Sequence, residues 1–187
     1  MDEHIGVQTA VKQILRYLSN TRSLKLAYSR SDDELVGFSD SDWGGDKKDI
    51  KSTTGYAFIL SGAAVSWNSK KQPTVAKSST EVEYMALSMA ADEAVWLKGI
   101  YRELFPDADD IMTICCDNKG AIDLAKNPGY RLRTNHISIQ HHFIRDLVES
   151  GDIVVTKVAS EHMIADCLTK KLSKDALFRC LPGLGLQ

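Results

Sequence analysis

The sequence predicts an α/β fold: a mixed five-stranded sheet, three antiparallel strands followed by parallel ones, flanked by helices. Three observations carry that expectation. Residues 35–43, 55–61 and 63–68 read as strands in chain succession, the last two joined at Gly62, which is the pattern of an antiparallel meander. A long helical pattern from Ser79 to about Leu104 separates this meander from a compact apolar strand at Ile111–Cys116. Such a crossover places the next strand parallel to its neighbour. A further helical stretch, His136–Ser150, then leads into a last strand at Ile153–Val158. The order β-β-β-α-β-α-α-β-α closes naturally into one layered domain.

The elements follow in order. Val7, Val11, Ile14, Leu15 and Leu18 repeat at helical spacing, so residues 7–18 form an amphipathic helix that ends near Asn20. A short strand at Leu24–Tyr28 completes an appendage that packs on the main domain. Leu35–Trp43 begins as an apolar strand and ends in two acids, Asp40 and Asp42, before Gly44 and Gly45. Gly44–Thr54 is a charged loop, and Ser69–Pro73 is a basic loop closing the meander. Ser79 or Thr80 can cap the long helix, with Glu83 completing a capping box after Thr80, and Pro106 stops it. Asp117 and Asn118 can cap a helix running to about Lys126, which Asn127-Pro128-Gly129 breaks. Gly151 ends the helix at 136–150. Met163–Lys171 is a short helix, and the tail from Ser173 adds another and frays.

Composition sets the outer bounds. The chain has 187 residues, 43% hydrophobic and 26% charged, the profile of a soluble globular protein. Neither a membrane-spanning apolar run nor a signal peptide is present in it, so the expectation is a cytoplasmic or nuclear protein, not secreted and without a membrane partner. A net charge of -2 excludes a chain-wide basic surface and leaves local patches open. Cys115, Cys116, Cys167 and Cys180 contain no C-x-x-C pair and read as buried free thiols of a reducing compartment.

Five acids stand out against this background. Asp40 and Asp42 share a strand face with Val36 and Phe38, and a charge at the end of a core-facing row requires a partner. Glu83 continues along its helix through Ala86, Leu87, Ala90, Ala94 and Leu97, an apolar stripe; its alternative role is the capping box. Asp117 closes an apolar strand and is either a helix cap or a site acid at the carboxyl end of a parallel strand. Asp166 is either paired with Lys170 at i+4 or a fourth member of the cluster. Converging carboxylates repel one another unless a cation is present, and an all-oxygen set suits Mg²⁺ or Mn²⁺.

Motifs extend the reading. Phe38-Ser-Asp-Ser-Asp-Trp-Gly-Gly-Asp46, Lys51-Ser-Thr-Thr-Gly-Tyr56 and Ala64-Val-Ser-Trp-Asn-Ser-Lys-Lys71 are followed by Ser78-Ser-Thr-Glu-Val-Glu-Tyr-Met-Ala-Leu87. Cys116-Asp-Asn-Lys-Gly-Ala-Ile122, Arg133-Thr-Asn-His-Ile137 and Ala165-Asp-Cys-Leu-Thr-Lys170 complete the series. In this order the chain resembles the C-terminal ribonuclease H domain of Ty1/copia-type retrotransposon polyproteins. Residues 1–34, with Ile14-Leu-Arg-Tyr-Leu18, resemble the end of the reverse-transcriptase region, which leaves 35–172 as the ribonuclease H-like domain and 173–187 as a tail.

The resemblance implies a ribonuclease H-like fold in which Asp40, Glu83, Asp117 and Asp166 hold two Mg²⁺ ions, with Mn²⁺ as a substitute. It implies hydrolysis of the RNA strand of RNA–DNA hybrids during retrotransposon replication, with the parent polyprotein's reverse-transcriptase region as a partner and a virus-like particle as one cytoplasmic setting. Substrate contacts expected on this basis are Ser41, Ser78, Ser79, Thr80 and Asn118 near the 2′-hydroxyl, and Lys70, Lys71 and Lys77 on phosphates. Arg133 and His136 are the remaining two. The family pattern Arg-Thr-Lys-His-Ile-Asp reads Arg133-Thr-Asn-His-Ile-Ser138 here, losing one lysine and one acid. His162 stands too close to Asp166 to match the mobile histidine of cellular enzymes of this fold, and His141 and His142 belong to helix packing. The alternatives are a catalytically silent nucleic-acid-binding fragment of a truncated or domesticated element, and another nuclease or transposase of the superfamily.

Overall fold

The computed structural model describes residues 2–29, 34–45, 50–107, 111–127 and 138–187, with side chains described there except at 2–6 and 138–141. In chain order the elements are α1 (Asp2–Thr21), β1 (Val36–Asp42), β2 (Thr53–Leu60), β3 (Ala63–Lys71), α2 (Ser79–Leu104) and β4 (Met112–Cys116). They continue with α3 (Lys119–Lys126), α4 (Ser138–Glu149), β5 (Ile153–Lys157), a 3-10 turn at Ser160–His162, α5 (Asp166–Thr169) and α6 (Lys174–Gly183).

The five strands form one sheet in the order β3-β2-β1-β4-β5. β1–β2 and β2–β3 are antiparallel, whereas β1–β4 and β4–β5 are parallel, as the crossover argument requires. β1 is therefore the central strand, and β1 and β4 run side by side in one direction. Their carboxyl ends open onto the same edge, where ligand sites of mixed sheets gather.

Two apolar layers hold the sheet. On one face α2 lays the predicted stripe Ala86, Leu87, Ala90, Ala94 and Leu97 against Phe58, Met112, Ile114 and Val155, with Leu124 and Ile144 from α3 and α4. On the other, Ala57 and Ala64 meet Ile164 and Leu184, with Phe38, Ile59, Cys167 and Leu168 packed around them. The close seat of α5 on β2 depends on Gly55, where a Cβ would stand 2.7 Å from Thr169 Cγ2 and 2.9 Å from Leu168 Cβ.

The structure corrects several boundaries. Ser69–Lys71 is strand rather than loop, because these residues pair with Thr53–Gly55. The stretch at 24–28 is reduced to a bridge at Leu26, and its partner is the tail: Leu26 pairs with Leu186, Lys25 exchanges both backbone bonds with Gln187, and Ala27 N donates to Gly185 O. The tail thus docks instead of fraying. Conversely, the apolar side of α1 (Val7, Val11, Ile14, Leu15, Leu18) is exposed, since both sheet faces are already covered by other elements. Cys116 and Cys180 are buried, Cys115 and Cys167 only partly, and all four thiols are free. No helix among the described residues is long and apolar enough to cross a membrane.

Candidate metal centre

Strand alternation places Ser39 and Ser41 toward α2 and Phe38 and Asp40 toward α5. Asp40 is 1% exposed and accepts a hydrogen bond from the Thr169 hydroxyl of α5. Glu83 comes from the first turns of α2. The capping role that competed for it belongs elsewhere: Ser78 is the N-cap, its Oγ accepting from Glu81 N at 3.2 Å, and Glu81 Oε2 accepts from Lys77 N at 2.8 Å. Ser79, Thr80 and Glu83 are therefore not the capping pair. Glu83 is 8% exposed, and among the described residues its Oε2 has no hydrogen-bond partner.

Asp117 is likewise released from capping. Asn118 caps α3, its Oδ1 accepting from Ala121 N at 3.0 Å, while Asp117 Oδ2 accepts from Ser160 Oγ at 2.7 Å. One oxygen from each of Asp40, Glu83 and Asp117 lies within 4.8 Å of the others. Among the described residues this is the group of acids, histidines and cysteines close enough to share an ion. Asp166 stands beside Asp40 with Lys170 between them: Lys170 Nζ is 2.9 Å from Asp166 Oδ1 and 3.4 Å from Asp40 Oδ2. The i+4 pair expected from sequence is present, and it extends to Asp40.

Electrostatics follow from the geometry. Burial raises the Asp40 carboxyl to about 6, against the opposing pull of Thr169 and Lys170. Burial also raises Glu83 to about 8, reinforced by the charges of Asp40 and Asp117. Carboxyls displaced upward by desolvation and mutual repulsion are the kind that gather at functional sites, which makes this cluster the candidate. An orphaned buried carboxylate oxygen facing two further acids, all hard oxygen donors, fits a divalent cation such as Mg²⁺ or Mn²⁺.

The other expected site residues are placed as follows. Asp42 is partly buried and folds over its own turn, where a Cβ on Gly45 would meet its carboxylate; it is outside the three-acid group. Ser41 is buried at 5% exposure beside Glu83. Lys70, Lys71, Lys77 and Ser79 are exposed, Ser78, Thr80 and Asn118 partly so. Register puts Ser69, Gly55 and Asp40 on one rung, so Lys70 begins two strands away, about 10 Å across the sheet. Arg133 and His136 lie outside the described residues. His162 is exposed, 3.8 Å from Glu161, and outside the three-acid group. Thr169, Ser160 and the second contact of Lys170 are not legible from periodicity; the Leu168-Thr169-Lys170 run after Asp166 is a signal for the first and last, and Ser160 has no signal in the sequence.

No family model matches the chain. It is similar to the Retrovirus-related Pol polyprotein from transposon TNT 1-94 of Nicotiana tabacum, 41% identical over 177 residues, which are 95% of this chain and 13% of that protein. To the corresponding polyprotein from transposon RE1 of Arabidopsis thaliana it is 40% identical over 186 residues, 99% of this chain and 12% of that one. The chain thus spans about an eighth of the length of these relatives. Among solved structures, RNase H1 from Halobacterium salinarum NRC-1 matches with a TM-score of 0.53 at 14% identity, covering 72% of this chain and 93% of that one. LC11-RNase H1 in complex with an RNA/DNA hybrid matches at 0.53 and 14%, covering 77% and 99%. These likenesses show the ribonuclease H-like fold. Along nearly its whole length the chain is thus homologous to one segment of the retrovirus-related Pol polyproteins of plant transposons.

Proposed function

We propose that this chain is a divalent-metal-dependent nuclease that hydrolyses the RNA strand of RNA–DNA hybrids within a retroelement polyprotein. The observation that carries the reading is the convergence of Asp40, Glu83 and Asp117 within 4.8 Å, with Glu83 Oε2 buried and unpartnered. The hybrid named for LC11-RNase H1 supports the substrate class.

Asp40, Glu83 and Asp117 would hold Mg²⁺ or Mn²⁺, with Asp166 as the fourth acid. Ions so held would supply hydroxide at neutral pH and stabilise the leaving oxygen of a phosphodiester. The chain's own work is positioning. Thr169 fixes the rotamer of Asp40 and Ser160 that of Asp117, so the carboxylates are oriented before substrate arrives. Lys70 and Lys71 on β3, with Lys77 before α2, form an exposed basic margin that contacts phosphates without reading sequence. Ser79 and Thr80 at the start of α2 are the accessible hydroxyls for the RNA 2′-hydroxyl, since Ser41 is buried and Ser78 and Asn118 are engaged as caps.

The deciding experiment offers labelled RNA–DNA hybrid, duplex RNA and duplex DNA to the wild-type chain and to Asp117→Asn, with and without Mg²⁺. The expected result is cleavage of the RNA strand of the hybrid alone, dependent on Mg²⁺ and lost in the variant. Hybrid binding without turnover at any metal concentration would make the chain a silent binding module instead.

A further inference from the structure

The acids of this centre are not served by a divalent ion alone, because the chain brings a cation of its own. Lys170 extends from the end of α5 and places Nζ 2.9 Å from Asp166 Oδ1, 3.4 Å from Asp40 Oδ2 and 3.5 Å from Asp40 Oδ1. The ammonium therefore bridges two of the four carboxylates. Together with Thr169, it satisfies Asp40 from the α5 side. On the opposite side of the cluster, among the described residues, Glu83 Oε2 is left without a hydrogen-bond partner. The four acids thus form two overlapping groups that share Asp40: Asp40 and Asp166 bridged by the ammonium, and Asp40, Glu83 and Asp117 close enough to share an ion.

We propose that Lys170 is a tethered counter-cation that limits the substrate-free chain to one divalent ion, bound by Asp40, Glu83 and Asp117, and keeps a second ion from the Asp40–Asp166 side. This deepens the metal-dependent reading above and rests on it. The physical ground is that a second divalent ion sharing Asp40 would stand within a few ångströms of the ammonium, where like charges repel strongly at low dielectric. Lys170 is suited to yield its place. Its side chain is 36% exposed against 1% for Asp40, and its flexible stem can swing the charge into solvent or onto a substrate phosphate without moving α5. The second cation position then opens only when the ammonium has somewhere else to go. Lys170 acts here as a positioning residue, through the carboxylates it holds.

The test is titration of the intact chain with Mn²⁺, read by calorimetry for stoichiometry and by electron paramagnetic resonance for spin coupling between neighbouring ions. Wild type and Lys170→Arg, which keeps the charge, should each bind one ion with the spectrum of isolated Mn²⁺. Lys170→Met should bind two, with the spectrum of a coupled pair. Lys170→Gln gives the same reading should the methionine variant fail to fold. Two coupled ions in the wild type, at the affinity seen in Lys170→Met, would overturn the proposal whatever the variants do. One ion in every form would overturn it too, since Lys170 would then not set the number. Absence of Mn²⁺ uptake in all forms would overturn the metal reading itself, a result distinct from the other two.

Discussion

At the scale of single residues, the site is a set of acids separated by what each one touches. Asp40 and Asp42 are two positions apart on one strand, yet one carboxylate meets Thr169, Lys170 and the neighbouring acids while the other folds back over Gly45. Asp40→Asn should lower hybrid cleavage by about a thousandfold or more. Asp42→Asn should retain most of it, and equal losses in the two variants would move the metal site to include Asp42. Titration follows the same contacts. Asp40 is raised to about 6 and Glu83 to about 8 in the fold, whereas both return to about 4 when unfolded. Between those limits the folded chain keeps protons that the unfolded chain has released, so stability falls as pH rises through 6 toward 8. The metal-free protein should therefore melt at a lower temperature at pH 8 than at pH 5. Mg²⁺ should recover most of that loss at pH 8 and little of it at pH 5. Thermal melts with chelator and with Mg²⁺ measure both, and a metal-free melting point that climbs with pH would contradict the burial argument.

At the scale of elements, the centre depends on how closely α5 lies on the meander. Gly55 of β2 stands opposite Asp40, and a side chain there would run into Thr169 and Leu168. Ser69 Oγ of β3 adds a hydrogen bond to Leu168 O at 2.6 Å, tying the same short helix to the edge of the sheet. Gly55→Val should push α5 outward, at a cost of about 1–3 kcal/mol in stability. It should also weaken divalent-ion affinity, because Asp40 loses the Thr169 hydroxyl that fixes its carboxylate. A melt paired with Mn²⁺ titration distinguishes this from ordinary core damage, in which stability falls but affinity holds. The helix starts show a related division of labour. Ser78 and Asn118 take the capping positions, one residue or more away from the acids they free.

For the whole molecule, the C-terminal tail meets residues 25–27, which follow α1, and the edge of β3. Backbone bonds join Lys25 to Gln187, Ala27 to Gly185 and Ala64 to Leu184, and Leu184 is buried among Ala57, Ala64 and Ile164. Removing Leu184–Gln187 should lower stability by about 2–5 kcal/mol, the usual cost of deleting a buried leucine. Urea denaturation would show it, and an unchanged midpoint would mean the tail only rests on the surface. Periodicity alone determined much of this protein: the sheet and its mixed sense, the long helix with its apolar stripe, and the suspect acids, because alternation at two and at three to four residues is written locally. Motifs added the family. Only the tertiary structure decided which residues cap α2 and α3, that Asp42 turns away, that the tail pairs with residues 25–27, and that Lys170 bridges Asp166 to Asp40. Each of these depends on a side chain or backbone choosing between partners at short range, or on residues more than a hundred positions apart meeting in space. Neither kind of choice leaves a periodic mark on the chain.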